Sequence, residues 1–271
     1  MTSWDIATPT SLTTGVAKTE INGAQPITKP TQAVNLIEVV PYMASITALT
    51  AGQTYLTKAI IESNSINLLP KQFIVPPIMG GLGTFTTSLT PMLDTVECNT
   101  PLVQGATQQF QIYGENYIAN TVANKLGMGL HYSTASPTKK EMFYDSVTNE
   151  TNTGTSATSV AGENLTINDG AFLESITPVL VNAVVTASES FIGSISVTSN
   201  DFENSMPLKV PCQPTSIALG SHVSPMMAKQ PVYKNIRMGM KSSCLISHTL
   251  TIDEAQTATG HFAVGYGYTK S

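Results

Sequence analysis

Charge is scarce in this sequence. Asp, Glu, Lys and Arg make up 11% of its 271 residues, where soluble domains usually carry about 25%. Threonine, serine and asparagine take the polar positions instead. So weakly charged a surface resists aggregation poorly when it stands alone. It suits a protein covered by copies of itself or by partners. Arg237 is the only arginine, Lys139-Lys140 is the longest basic run, and the net charge is −5. Nucleic-acid surfaces neutralise phosphates with clustered Lys and Arg, so direct nucleic-acid binding is not expected.

Cysteine is also sparse. Cys98, Cys212 and Cys244 form no CxxC pair, and their odd number leaves at least one without an intramolecular partner. They read as buried free thiols in a chain made in a reducing cytoplasm. The opening "MTSWDIATPTSLTTG" lacks the basic-then-apolar pattern of a secretory signal. No apolar run approaches the roughly 18 residues of a membrane-spanning helix. The sequons at Asn149 and Asn164 therefore read as coincidence.

Catalytic and ligand-binding patterns are missing too. The four histidines, His131, His222, His248 and His261, accompany no GxSxG elbow, Walker loop, HExxH or EF-hand pattern. Each reads as a solvated or hydrogen-bonded side chain, because a catalytic His needs an oriented partner and usually a nucleophile. Asp253-Glu254 is the tightest acidic pair; a solvated turn is the simpler reading than part of a calcium site. The Gly80–Gly83 stretch opens no helix that could cradle phosphate. Methionines such as Met226-Met227, Met238 and Met240 read as core and contact surface. No catalytic, cofactor-binding or metal-binding residue is assigned, no cofactor is expected, and the chain is not expected to be an enzyme.

What the sequence has is β propensity. Residues 1–33 carry Pro9, Pro26 and Pro30 with little periodicity, and predict an arm that follows a surface. From Val34 onward, β-branched and aromatic residues recur between turn signals. Residues 134–170 thin out in apolar content and predict a linker or long loop, after which the β pattern resumes. The predicted organisation is an arm (1–33), a first β domain (34–133), a linker (134–170) and a second β domain (171–271).

Leu126–Tyr132, "LGMGLHY", gives this organisation its strongest clue. On an extended chain Leu126, Met128, Leu130 and Tyr132 share one face, while Gly127, Gly129 and His131 share the other. Glycine within a strand costs about 0.5–1 kcal/mol relative to alanine, so its recurrence needs a reason. A shift of 136 residues lays this stretch on Phe262–Tyr268, "FAVGYGY", with Gly129 on Gly265 and large residues on large. The same shift matches Glu38, Thr50, Ala51, Ser63 and Asn64 with Glu174, Thr186, Ala187, Ser199 and Asn200. Internal repetition of this kind predicts a tandem duplication. The large residues should fill each core. The glycines should admit a close neighbour, either the sister domain or another subunit; twist or a bulge near the strand end is the alternative.

Some eight short strands per half, with turn signals every 8–12 residues or so, predict an all-β chain of two tandem β-sandwich domains. A jelly roll fits the strand count. A seven-stranded immunoglobulin-like sandwich is the alternative, although the only tryptophan is Trp4 and no Cys…Trp…Cys spacing exists.

Two tandem sandwiches, low charge, a Thr/Pro-rich N-terminal segment and no active-site motif together resemble the double jelly-roll major capsid proteins of tailless icosahedral viruses such as tectiviruses, corticoviruses and finnlakeviruses. The likeness is architectural and spans the whole chain; it transfers no functional residue. It implies a structural role in the virion, with homotrimers presenting six lobes to a sixfold lattice. The implied partners are neighbouring capsomers, a vertex penton protein and the internal membrane that many such viruses enclose. The competing reading is a secreted adhesin or pilus-like protein of tandem immunoglobulin-like modules. An enzyme on a β scaffold ranks below both.

Overall fold

A computed structural model describes residues 1–13, 17–45, 54–63, 72–76, 78–81, 95–105, 107–116, 124–152, 158–159, 165–168, 171–182, 193–199, 202, 208–212, 233–240, 243–252 and 260–270. Strand-forming residues give β1 (Thr2–Ser11), β2 (Thr19–Glu20), β3 (Ile27–Thr28), β4 (Asn35–Ser45) and β5 (Thr54–Glu62). These are followed by β6 (Gln72–Ile74), β7 (Ile78–Gly81), β8 (Val96–Pro101), β9 (Gln109–Asn116) and β10 (Asn124–Ser133). The second half supplies β11 (Phe143–Asn152), β12 (Thr158–Ser159), β13 (Leu165–Asn168), β14 (Ala171–Asn182) and β15 (Gly193–Thr198). Then come β16 (Leu208–Cys212), β17 (Tyr233–Met240), β18 (Ser243–Ile252) and β19 (Gly260–Lys270).

The first half forms two antiparallel sheets, ordered β1-β10-β4-β8 and β2-β9-β5-β6, with β3 beside β9 and β7 beside β5. The second half repeats the plan: β11-β19-β14-β17 faces β12-β18-β15-β16, with β13 beside β18. Two four-stranded layers connected in this order are a jelly roll. The chain is therefore all β, with two jelly-roll lobes in tandem, and not a pair of immunoglobulin-like modules.

The lobes agree in their irregularities as well. β1 bulges between Ala7 and Thr10 opposite Met128 and Leu126, while β11 bulges between Val147 and Glu150 opposite Val264 and Phe262. β4 skips Ile37 against β10, and β14 skips Glu174 against β19. Asn99 and Asn235, both with positive φ (50° and 62°), sit in the corresponding bulges of β8 and β17. Asparagine is among the few residues that accept this conformation readily.

These registers correct the uniform shift of 136. It holds for β10 and β19, but Val39 opposite Leu130 corresponds to Ile176 opposite Tyr266, a shift of 137. Ile37, rather than Glu38, thus matches Glu174, and Glu38 matches Ser175. Trp4, opposite His131, matches Tyr144, opposite Gly267. Thr50, Ala51, Asn64, Thr186, Ala187 and Asn200 lie outside the described residues.

The N-terminal segment is not an arm. β1 pairs along most of β10, and Ala7, Leu12, Ile21, Ile27 and Ala33 are buried in the first core. Its prolines and threonines hide short, bulged strands whose periodicity breaks every few residues. Lys29 is 2% exposed and donates to the carbonyls of Pro30 (3.1 Å), Thr31 (3.3 Å) and Ala33 (2.8 Å). Lys29→Met should cost about 2 kcal/mol, the worth of charge-assisted hydrogen bonds in such a setting, measurable by urea denaturation. Residues 134–170 are likewise no simple linker, since they contribute β11, β12 and β13 to the second lobe.

Candidate functional site

The LGMGLHY strand lies at the centre of its sheet, between β1 and β4. Leu126, Met128, Leu130 and Tyr132 are all 0% exposed in the first core, and Val264 and Tyr266 are 0% exposed in the second. The opposite face of each strand distinguishes the two lobes.

In the first lobe, Tyr42 reaches from β4 across Gly127 and donates its hydroxyl to the Ala7 carbonyl in the β1 bulge, at 3.0 Å. A Cβ on Gly127 would fall inside the Tyr42 ring. At Gly129 it would meet Trp4 Cζ3 at 3.4 Å, an ordinary contact. The close neighbours of these glycines are thus aromatic side chains from flanking strands, and Gly127 is the tight position. Beside them, Trp4 stacks on His131 at 4.2 Å with a 7° interplanar angle. His131 Nδ1 lies 3.0 Å from Glu38 Oε1. This outer face stays open: Trp4 is 48% exposed and Ile6 68%.

In the second lobe the equivalent face is covered. Tyr144 lies over Gly267, and its hydroxyl crosses to the first lobe to donate to the Glu97 carbonyl at 2.9 Å. Its ring meets Phe73 edge-on at 5.2 Å. The Met142 amide donates to the Cys98 carbonyl at 2.8 Å, and Lys139 pairs with Glu97 at 3.3 Å. Ser175 and Thr177, on the outer side of β14, are only 6% and 1% exposed. A cleft of about 150 Å³ remains in this seam, lined by Pro76, Glu97, Tyr144, Ser175, Thr177 and Lys234 among others.

Glu141 lies at the seam with a buried Oε1 that has no hydrogen-bond partner. Burial pushes its carboxyl up to about 7, against the opposing pull of Thr100 and Lys270. A raised carboxyl favours the neutral form in the folded state. Its penalty is absent below the unfolded value of 4.5, grows as pH rises, and levels off above about 7. Wild type should lose on the order of 1 kcal/mol from pH 5 to pH 8 through this group, discounted for partial exposure. Thermal melts of Glu141→Gln across that range should show a correspondingly flatter slope.

The remaining sequence candidates are dispersed. His248 and His261 belong to β18 and β19, but their side chains lie outside the described residues, as do those of Cys212 and Cys244. His222, Asp253, Glu254, Met226 and Met227 also lie outside them. Gly80 and Gly81 end β7. Cys98 is a buried free thiol, Met238 packs against the second core, and Met240 belongs to it. Among the described residues no three His, Cys, Asp or Glu side chains gather as a metal site, and no helix is long and apolar enough to cross a membrane. Sequence reasoning missed the Trp4–His131–Glu38 cluster and the Tyr144 contact, because both join residues more than forty positions apart.

No family model matches this chain, and no curated protein does. Among solved structures, one of PNGF-II is similar over 91% of this chain and 65% of its own, at 10% identity and a TM-score of 0.37. A structure of infectious bursal disease virus, Gt strain, is similar over 100% of this chain and 77% of its own, at 8% identity and a TM-score of 0.21. The Gx strain gives 99%, 79%, 8% and 0.17. Likeness at these scores carries no functional weight.

Proposed function

We propose that this protein is a major capsid protein of the double jelly-roll type, forming homotrimers that tile an icosahedral shell. The observation that carries the proposal is the tandem of two jelly rolls on one chain, with matching strand order and matching bulges. Jelly-roll sandwiches are building blocks of viral capsids, and also of lectins and cupins. Low charge and an open apolar face on only one lobe favour the self-assembling member of that set. The two lobes descend from one duplicated unit in this reading. Three chains present six similar sandwiches, so a threefold molecule fills a sixfold lattice position.

In this reading the partners are the chain itself, neighbouring capsomers, a penton protein at the vertices and an enclosed membrane. The protein is made in the host cytoplasm and resides in the virion, with no enzymatic role and no direct contact with nucleic acid. The adhesin alternative required immunoglobulin-like modules, which the jelly-roll strand order does not supply. Electron microscopy of the concentrated, purified chain tests the proposal. Arrays or shells of capsomers with hexagonal outline are expected; dispersed single chains under every assembly condition would contradict it.

A further inference from the structure

The seam within one chain is asymmetric, and each of its two sides has a counterpart elsewhere on the molecule. The first lobe contributes Pro76, which follows β6, and Val96 and Glu97 at the start of β8. The second lobe contributes Tyr144 from β11 and Ser175 and Thr177 from β14. Pro76 and Val96 are buried, as are Ser175 and Thr177.

Register carries each side onto the other lobe. Val75 donates its amide to the Ala59 carbonyl, and Val210 pairs with Ile195. Ala59 and Ile195 hold the same position, opposite Gly114 and Leu250, and both valines are followed by proline. Pro211 thus stands where Pro76 does. Val96 and Glu97, opposite Val39 and Glu38, correspond to Tyr233 and Lys234, opposite Ile176 and Ser175. On the receiving side, Tyr144, Ser175 and Thr177 correspond to Trp4, Glu38 and Val40.

Both counterparts are open. Pro211 and Lys234 are exposed and Tyr233 is half-buried. Trp4 and Ile6 are 48% and 68% exposed. Their charges have changed together: the closed seam sets Glu97 near a serine, whereas the open pair offers Lys234 to a face carrying Glu38.

We propose that these two open patches meet between chains. The second lobe of one molecule, through Pro211, Tyr233 and Lys234, docks on the Trp4–Ile6–Val40 face of another molecule's first lobe, repeating the contact that joins the lobes within a chain. The inference rests on the self-assembly reading above and names the surfaces that make it. Such a contact is heterologous, so its repetition generates a closed ring where the rotation closes and a filament where it does not. The apolar face is covered by a second copy of the chain, and Lys234 supplies the cation opposite Glu38.

Two single variants and their mixture test this by light scattering. Ile6→Glu blocks the receiving patch and Pro211→Glu blocks the docking patch; both positions are exposed, and near-UV circular dichroism confirms the native fold. Each variant alone should associate at least tenfold more weakly than wild type. A one-to-one mixture retains a single intact junction, so it should form a dimer and nothing larger. Either variant assembling like wild type, or a mixture of folded variants that stays monomeric, would overturn the assignment while leaving a self-assembling wild type intact. A wild-type chain that never associates would overturn the capsid reading and this contact together.

Discussion

Tyr144→Ala is expected to lower stability by about 3 kcal/mol. That is the low end of the range for removing a large aromatic from a packed site, because Tyr144 keeps some exposure. The change removes the ring that covers Gly267 and touches Phe73, together with the hydroxyl donated to the Glu97 carbonyl. Tyr144→Phe keeps the ring and should cost only about 1 kcal/mol, the net worth of one hydrogen bond. Trp4→Ala, at the equivalent place on the open lobe, should cost less than half as much as Tyr144→Ala. Chemical denaturation monitored by tryptophan-independent circular dichroism measures all three. Hydrogen exchange should also rise around residues 97 and 267 in Tyr144→Ala, since the side chain that couples them is gone. Equal costs for Trp4 and Tyr144 would mean that the seam adds nothing to stability.

Gly127→Val should cost about 1–3 kcal/mol by overpacking, at the upper end because the obstructing ring is held in place. Tyr42 is anchored through its hydroxyl to the Ala7 carbonyl, so giving way to a side chain at 127 breaks the brace that pins the β1 bulge. Gly129→Ala, whose new methyl would make only ordinary contacts with Trp4 and Val40, should change stability by less than about 0.5 kcal/mol. The pair separates a glycine required by a close neighbour from one that merely tolerates its surroundings. If the double variant Gly127→Val, Tyr42→Ala is no less stable than Tyr42→Ala alone, the ring is the obstruction.

Alternation at 126, 128, 130 and 132 placed the core face of β10 correctly, because a strand at the centre of a sheet keeps strict period two. The echo at 262–268 likewise marked the corresponding strand of the second lobe. The N-terminal strands were not legible. β1 breaks its period at a bulge, and β2 and β3 are only two residues long, too short for any pattern. Bulges also explain the slip in the repeat. One skipped residue in β4 and β14 moved the apparent Glu38–Glu174 identity out of register. What lies over the glycines was hidden for a different reason. Tyr42, Trp4 and Tyr144 come from flanking strands, and a single sequence does not reveal which strands become neighbours. The same holds for the seam, where Glu97 and Tyr144 meet across forty-seven positions.

The central claim is that the chain assembles by repeating its own lobe-to-lobe contact. Multi-angle light scattering on the purified full-length chain, over a range of concentrations, tests this most directly. The account predicts a discrete species at about 86 kDa, three times the 28.7 kDa of one chain, which Ile6→Glu converts to monomer. A wild-type mass of 28.7 kDa at every concentration would contradict it.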